Sequence, residues 1–371
     1  MARLSRAEMQ VRNRSGVLAA AKEEFAERGF RDAKIDAIAE RAELTRGAVY
    51  SNFPGKRALY FAVLAELAER PLEPPHPAPG HTPREALGAL ARAWVAGLPL
   101  ADTDEPANAA RLAMDLMPEI LADRRTRQPF AQLMQLDATL LGLALERLES
   151  GRSRSKRRVR LAETVLTTLH GASGLAAAAP GFLEPFNVVR ACEHLAALEL
   201  DDGWTVPPFL TQPQPVDEPW SPPAATDAVR GEPAQLDRDG VVAVLGLHRL
   251  AAAEDAVRAL PPGGRVTAVL VTGDPGELVP LARLAIADFS RCLRQAFPRS
   301  AWPEVQVVVG DSDAVAAAAG VPSVSDGTEV AVRIEAGRIV ARADGRGACH
   351  VVAADPAVPA PTEWPSHRGW S

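Results

Sequence analysis

The feature that most limits the fold is a change of hydrophobic pattern across a proline-rich stretch. Before about residue 201, apolar residues recur at three- and four-residue spacing, the period of a helix with one buried face. After about residue 236 they come in short β-branched runs, GVVAVLGL, RVTAVLVTG, VQVVVGD and EVAVRIEAGRIVARADG, bounded by Gly, Pro and Asp. Between them PPFLTQPQPVDEPWSPPAATD has no periodicity and frequent Pro, the composition of a semi-rigid linker. A chain of 371 residues is expected to form two or three domains. The expected class is therefore multidomain, an all-α part followed by an α/β domain.

Composition removes several function classes. Hydrophobic residues at 47% and charged residues at 24% are globular values, which exclude bulk disorder. The net charge of −6 argues against indiscriminate coating of nucleic acid. Residues 1–70 nevertheless carry 13 Lys and Arg against 10 Asp and Glu, a basic head of +3 on a remainder of −9. Cys192, Cys292 and Cys349 are far apart and form no CxxC or Cys/His cluster, so neither a disulfide framework nor a metal site is expected, and no cofactor. No run of 18 or more apolar residues and no signal-peptide pattern is present, and a cytoplasmic protein without membrane contact is expected.

In the head, Val11, Leu18, Ala21 and Phe25 share one helical face and Gly29 closes the helix. Ile35, Ile38, Ala39 and Ala42 mark a second helix, and Thr45 can cap a third that reaches Asn52. Two short helices joined by about three residues form a helix-turn-helix. Pro54-Gly55 breaks the chain, and Lys56 opens a fourth helix with Leu59, Val63, Leu64 and Leu67 inward.

The segment RNRSGVLAAAKEEFAERGFRDAKIDAIAERAELTRGAVYSNFPGKRALYFAVL, residues 12–64, resembles the DNA-binding domain of TetR-type bacterial transcription regulators. The ordered pattern F-x-x-x-G-[FY], IA-x-x-A, Thr-x-Gly-x-x-Tyr and N-F-x-x-K carries the likeness. The family usually has Thr or Ser where Ala33-Lys34 stand, so Lys34 is left to meet a phosphate electrostatically and Asp32 to cap the second helix.

The third helix supplies the chemistry for reading a major groove: Thr45, Arg46, Gly47, Ala48, Tyr50, Ser51 and Asn52. Arg46 is the candidate for bidentate base contact, and Gly47 allows close backbone approach. Tyr50 offers a hydroxyl to phosphate or a ring to the core, whereas Phe53 is expected in the core. Lys56 at a helix start faces an unfavourable dipole unless an anion is near, which suggests a phosphate contact.

Beyond PLEPPHPAPGH, helices are expected over about 82–99, 106–123, 127–149, 156–179 and 186–201. In the resembled family such a body holds an effector pocket and its last two helices form a dimer bundle. The small residues of LTTLHGASGLAAAAPG fit that bundle or ordinary packing within one subunit. Pocket candidates are Trp94, Met114, Met117, Phe130, Met134, His170 and Phe182, each of which also suits plain core packing. The basic run Arg152, Arg154, Lys156, Arg157, Arg158 and Arg160 is either a solvated face or a partner for an acidic surface such as the α/β domain.

The C-terminal order of strand, helix, strand and closing hairpin resembles the thioredoxin/peroxiredoxin-like fold. Where its CxxC falls, this chain has Thr272-Gly273-Asp274-Pro275-Gly276-Glu277, and Cys292 lies mid-helix, so no redox catalysis is expected. The domains read as 1–70, a helix-turn-helix DNA-binding domain; 82–201, an all-helical ligand-binding and dimerisation domain; 202–235, a linker; 236–355, an α/β domain; and 356–371, a flexible tail. The expected function is a ligand-responsive repressor, not an enzyme, binding a palindromic double-stranded operator as a homodimer and answering to an unknown small-molecule effector. The competing reading is a redox or small-molecule enzyme of the α/β domain tethered to a DNA-binding module.

Overall fold

The computed structural model describes residues 5–70, 78–99, 112–149, 157–208, 210–261 and 263–354. The first helix, α1 (Arg6–Asp32), starts at a capping box: the Ser5 hydroxyl accepts from the Glu8 N–H at 3.2 Å, and the Glu8 carboxylate accepts from the Ser5 N–H at 2.7 Å. Gly29, at φ 71°, breaks its helical conformation where the sequence places a breaker. Then come α2 (Ile35–Arg41), α3 (Arg46–Asn52) and α4 (Lys56–Ala68). Val11, expected inward, is 67% exposed.

The helical body comprises α5 (Pro83–Val95), α6 (Leu116–Ala122), α7 (Arg124–Glu149), α8 (Val159–Ala178) and α9 (Pro185–Leu195). The helix expected over 106–123 is described only from residue 112, and there a 3₁₀ turn, Ala113–Asp115, precedes α6. At the α7–α8 crossing Gly142 is obligatory, because a Cβ there would fall 2.9 Å from the Val159 backbone.

The C-terminal region is a mixed six-stranded sheet with helices. Its strands are β1 (Gln214–Pro219), β4 (Gly240–Gly246), β5 (Val266–Val271), β6 (Val305–Val308), β7 (Glu329–Glu335) and β8 (Arg338–Asp344), in the order β1-β8-β7-β4-β5-β6. The strands β4, β5 and β6 are parallel, and the remaining pairs are antiparallel. A small pair, β2 (Thr226–Asp227) and β3 (Glu232–Pro233), lies beside β6. The helices are α10 (Ala252–Ala259), α11 (Pro275–Ala296), α12 (Ser312–Ala318) and α13 (Ala348–Ala353). Strand alternation divides the sheet cleanly: Val241, Ala243 and Leu245 join one apolar cluster, and Val242 and Val244 join another with α12 and Trp220.

Two expectations about domain organisation are corrected. The stretch 202–235 is not only a spacer, since it supplies the edge strand β1 and the β2–β3 pair. Its prolines are tolerated because an edge strand needs only one side of its backbone paired, and a register shift between Pro215 and Glu218 absorbs the irregularity. Asp227, fully buried, accepts from the N–H groups of Val229 and Val307 and ties this stretch to β6.

The α/β region is also not a separate body. Its helix α11 packs on α4, α5 and α7, and one apolar cluster runs from Val17 in α1 through the helical body to the inner face of the sheet. Arg258 of α10 pairs with Glu146 of α7 at 2.8 Å, and Arg147 reaches Glu304 at 2.8 Å. The sheet's inner face needs a cover, which α10 and α13 give directly, and α11 links that layer to the helical body in one apolar cluster.

Where it is described, the basic run pairs mainly within the helical body, and Arg160 also feels the charges of Asp202 and of Glu254 in α10. Arg158 pairs with Glu149 and Arg160 with Glu163, both at 2.7 Å, and the Arg157 guanidinium lies 5.3 Å from the centre of the Trp204 ring. Arg152, Arg154 and Lys156 lie outside the described residues, as does the 356–371 tail. No helix among the described residues is long and apolar enough to cross a membrane.

A contiguous core predicts joint unfolding. Thermal melts followed by helical circular dichroism and by the fluorescence of a variant that keeps Trp220 as its one tryptophan should share one midpoint. Phe289→Ala, at a side chain 2% exposed, should lower that shared midpoint through a loss of about 3–5 kcal/mol of stability. Two separated transitions would contradict a shared core.

Candidate nucleic-acid interface

The head is built around a buried carboxylate. Glu24 of α1, fully buried, accepts from the Lys34 N–H at 3.3 Å and pairs with Arg28 and Arg41, each at 3.3 Å. That bond satisfies an orphan donor at the start of α2, where the N-cap position is Lys34, which makes no side-chain cap bond of its own, and not the Asp32 expected. The turn from α2 to α3 passes through Glu43 at φ 54°, a left-handed position that closes the tight corner, with the Leu44 N–H donating to Ala39 O at 2.9 Å.

Thr45 caps α3 as expected, its hydroxyl accepting from the Ala48 N–H at 3.2 Å. The inward side of α3 is Val49, with Phe53 following it, and both are buried as core. The outward side presents Thr45, Arg46, Gly47, Tyr50 and Ser51. Tyr50 is 42% exposed, which leaves its ring and hydroxyl on the surface rather than in the core. Arg46 sits 3.4 Å from Asp36 of α2 and 5.6 Å from the Tyr50 ring centre; bonding to Tyr50, with the charge of Asp36, raises its already high pKa. Asp36 is not among the residues that the sequence motifs single out, although its place two residues after Lys34, on an exposed turn of α2, is a signal that could flag it.

Ser51 and Asn52 both donate to Ala48 O at 2.8 Å, which turns their side chains back onto α3. Ala48 is half-buried and Lys34 is exposed at the head of α2. Arg14 of α1 stacks 4.3 Å from the Phe53 ring centre and donates to Asn52 O at 3.1 Å, pinning the end of α3.

Lys56, for which a phosphate contact is expected, has partners within the chain as well. Its ammonium donates to Arg31 O at 3.0 Å and Ala33 O at 3.1 Å and lies 4.6 Å from the Phe30 ring centre. The carbonyls of the α1–α2 corner supply the negative end that its helix-start position requires. The neighbouring Arg57, which no sequence motif marks, bonds Glu277 of α11 and, at 2.9 Å, Asp123 before α7.

Residues 17–63 match the sequence profile of the bacterial regulatory proteins of the tetR family. The chain carries a TetR-type DNA-binding domain. Over 73 residues it is 45% identical to the HTH-type transcriptional regulator SrpR of Pseudomonas putida, covering 20% of this chain and 33% of that one. It is likewise 45% identical over 73 residues to the uncharacterized HTH-type transcriptional regulator TtgW, also of Pseudomonas putida, covering 20% of this chain and 53% of that protein. The matched stretch thus spans only about a third and about a half of these two relatives. Similar solved structures include a TetR transcriptional regulator from Rhodococcus sp. RHA1, 16% identical, covering 52% of this chain and 99% of that one at a TM-score of 0.33. Another is NalD, the secondary repressor of the MexAB-OprM multidrug efflux pump in Pseudomonas aeruginosa, 20% identical, covering 50% of this chain and 94% of that one at a TM-score of 0.31.

Behind the TetR-type domain, the pocket candidates divide. Trp94, Phe130 and His170 meet, with ring centres 4.8 Å apart for Trp94–His170 and 6.1 Å for Phe130–His170, and Trp94 donates to Ser173 Oγ at 2.9 Å. Burial lowers the His170 pKa against the opposing pull of Asp288. Met117 and Met134 are half-buried against the same core. Met114 at 39% and Phe182 at 71% exposure are surface residues, which removes them from an enclosed wall. All three cysteines are buried, and burial pushes the Cys192 thiol to about 11, the Cys292 thiol to about 12 and the Cys349 thiol well up.

Two substitutions separate reading from scaffolding. Arg46→Ala is expected to cost about 1–3 kcal/mol on specific DNA and to relax preference at one base pair, measured by titration of single-base operator variants; equal losses on operator and random duplex would contradict base readout. Lys56→Met is expected to lower head stability by about 1–2 kcal/mol, seen in thermal melts, because two carbonyls lose their charged donor; unchanged melting with a smaller salt slope of DNA binding would restore the phosphate contact.

Proposed function

We propose that the protein is a ligand-responsive transcription regulator, a repressor that occludes a promoter by binding a palindromic operator as a homodimer. The observation that carries this reading is the outward face of α3, where a capped helix presents Thr45, Arg46, Gly47 and Tyr50 and buries Val49. Lys34, Ser51 and Asn52 frame that face, while Ala48 and Lys56 support it from within. One such unit reaches few phosphates, so useful specificity calls for two copies on half-sites about 34 Å apart. A second copy has a surface to meet: Leu175 of α8, Phe182 in the turn before α9 and Phe186 in its first turn are exposed at 45%, 71% and 77%, with no Cβ-blocking neighbour at Gly171 or Gly174. A small-molecule effector is assigned to the ring cluster of Trp94, Phe130 and His170, bordered by Met117 and Met134. The names of SrpR and TtgW as transcriptional regulators agree with this reading.

A nuclease footprint on the DNA flanking its own gene tests the proposal, with two symmetric protected half-sites expected about one helical turn apart. Protection no stronger than on random DNA would overturn it. Phe182→Glu with Phe186→Glu should convert a sedimenting dimer to monomer and abolish the footprint; an unchanged dimer would move the interface elsewhere.

A further inference from the structure

We infer that the C-terminal α/β domain sets the position of the DNA-binding head through α11, so that recognition of DNA requires it. The inference rests on the regulator reading and deepens it. Of the 22 residues of α11, 13 are buried, so the helix is covered on more than one side. The helix α4 that carries the head is similarly enclosed, every residue from Ala58 to Ala65 being buried. With α1 on one side of α4 and α11 packed against it, the head cannot tilt about α4 without moving α11.

Polar contacts fix the two helices along their length. At their starts Arg57 of α4 bonds Glu277 of α11. Farther along, Arg283 makes two bonds to Glu69, at 2.9 and 2.7 Å. At the end of α11, Ala296 O accepts from the Gly80 N–H at 2.9 Å, just ahead of α5. Arg283 is also close enough to the half-buried Arg14 to lower its pKa, a smaller effect than burial, and Arg14 is the residue that pins the end of α3.

The end of the sheet involved is informative. Ligands of open α/β sheets sit outside the carboxyl ends of parallel strands. Here the ends of β4 and β5 are closed by the 325–326 turn, because a Cβ on Gly246 would lie 2.4 Å from the carbonyl oxygens of Ser325 and Asp326, and Thr272 Oγ1 bonds Asp326 Oδ1 at 2.5 Å. The space left beyond β5 is a cleft of about 290 Å³ walled by Asp274 and Glu277 on one side and Pro54 to Ala58 of the head on the other. The loop after β5 instead brings Gly276 against the turn that follows α3, where a Cβ would meet Pro54 Cγ at 2.8 Å. The edge that binds small molecules in related architectures holds the DNA-binding head in this one.

The test uses the full chain and a duplex selected by it from a random-sequence pool. Gly276→Ala places a methyl group between α11 and the Pro54 turn, and its affinity for that duplex should fall about five- to tenfold with little change in melting temperature. Glu69→Arg and Arg283→Glu should each weaken specific binding, and the double exchange should restore it; hydrogen exchange in α3 and α4 should rise and recover in step. Folded variants that all bind the selected duplex like the wild type, with unchanged exchange in α3, would overturn the inference. A wild-type chain that selects no sequence would instead remove the regulator reading, so the two failures are distinguishable.

Discussion

The burial of α11 is the constraint on which the rest of the architecture depends. An apolar helix with little exposed face needs neighbours on several sides, and the chain supplies α4, α5, α7 and the inner face of the sheet. The parallel strands likewise need cover on both faces, which α10 and α13, joined to α11 in one apolar cluster, give on one side and α12 on the other. Removing the C-terminal region would leave α4 with an uncovered apolar flank, so the head and the sheet belong to one folding problem.

The local rules of the head are legible in the sequence. Thr45 caps α3, Gly29 ends the regular part of α1, Phe53 is core and Ile38 and Ala39 face inward, all signals carried by neighbours within a turn or two. Long-range partners are not legible. The sequence suggests only a phosphate for Lys56, and the fold adds the carbonyls of Arg31 and Ala33 as acceptors of its ammonium. Arg57 and Asp36 escape notice for the same reason, since Glu277 is 220 residues away from the first and Arg46 lies on another helix from the second. The proline-rich stretch misleads by composition: proline density predicts an unpaired segment, but an edge strand with a register shift accepts it.

The site itself is a balance of charge. Asp36 is an acid on the face that would meet a polyanion, and it holds Arg46 at 3.4 Å beside the Tyr50 ring. On the proposed readout Arg46 exchanges that partner for a base edge, so a duplex that offers only phosphates compensates the exchange poorly and favours selective contact over general adhesion. The acidic remainder of the chain acts in the same direction by repelling DNA away from the head. Selectivity then rests on where Arg46 is held, which is why a rigid mount for α3 matters.

The most direct test of this account is the affinity of the full chain for its selected duplex and for a random duplex of equal length, measured across a range of salt. The account predicts at least about a thousandfold preference for the selected duplex near physiological salt. It also predicts a shallow salt slope, set by the few phosphates that a small basic head can neutralise. Equal affinities for the two duplexes, falling together and steeply with salt, would contradict it.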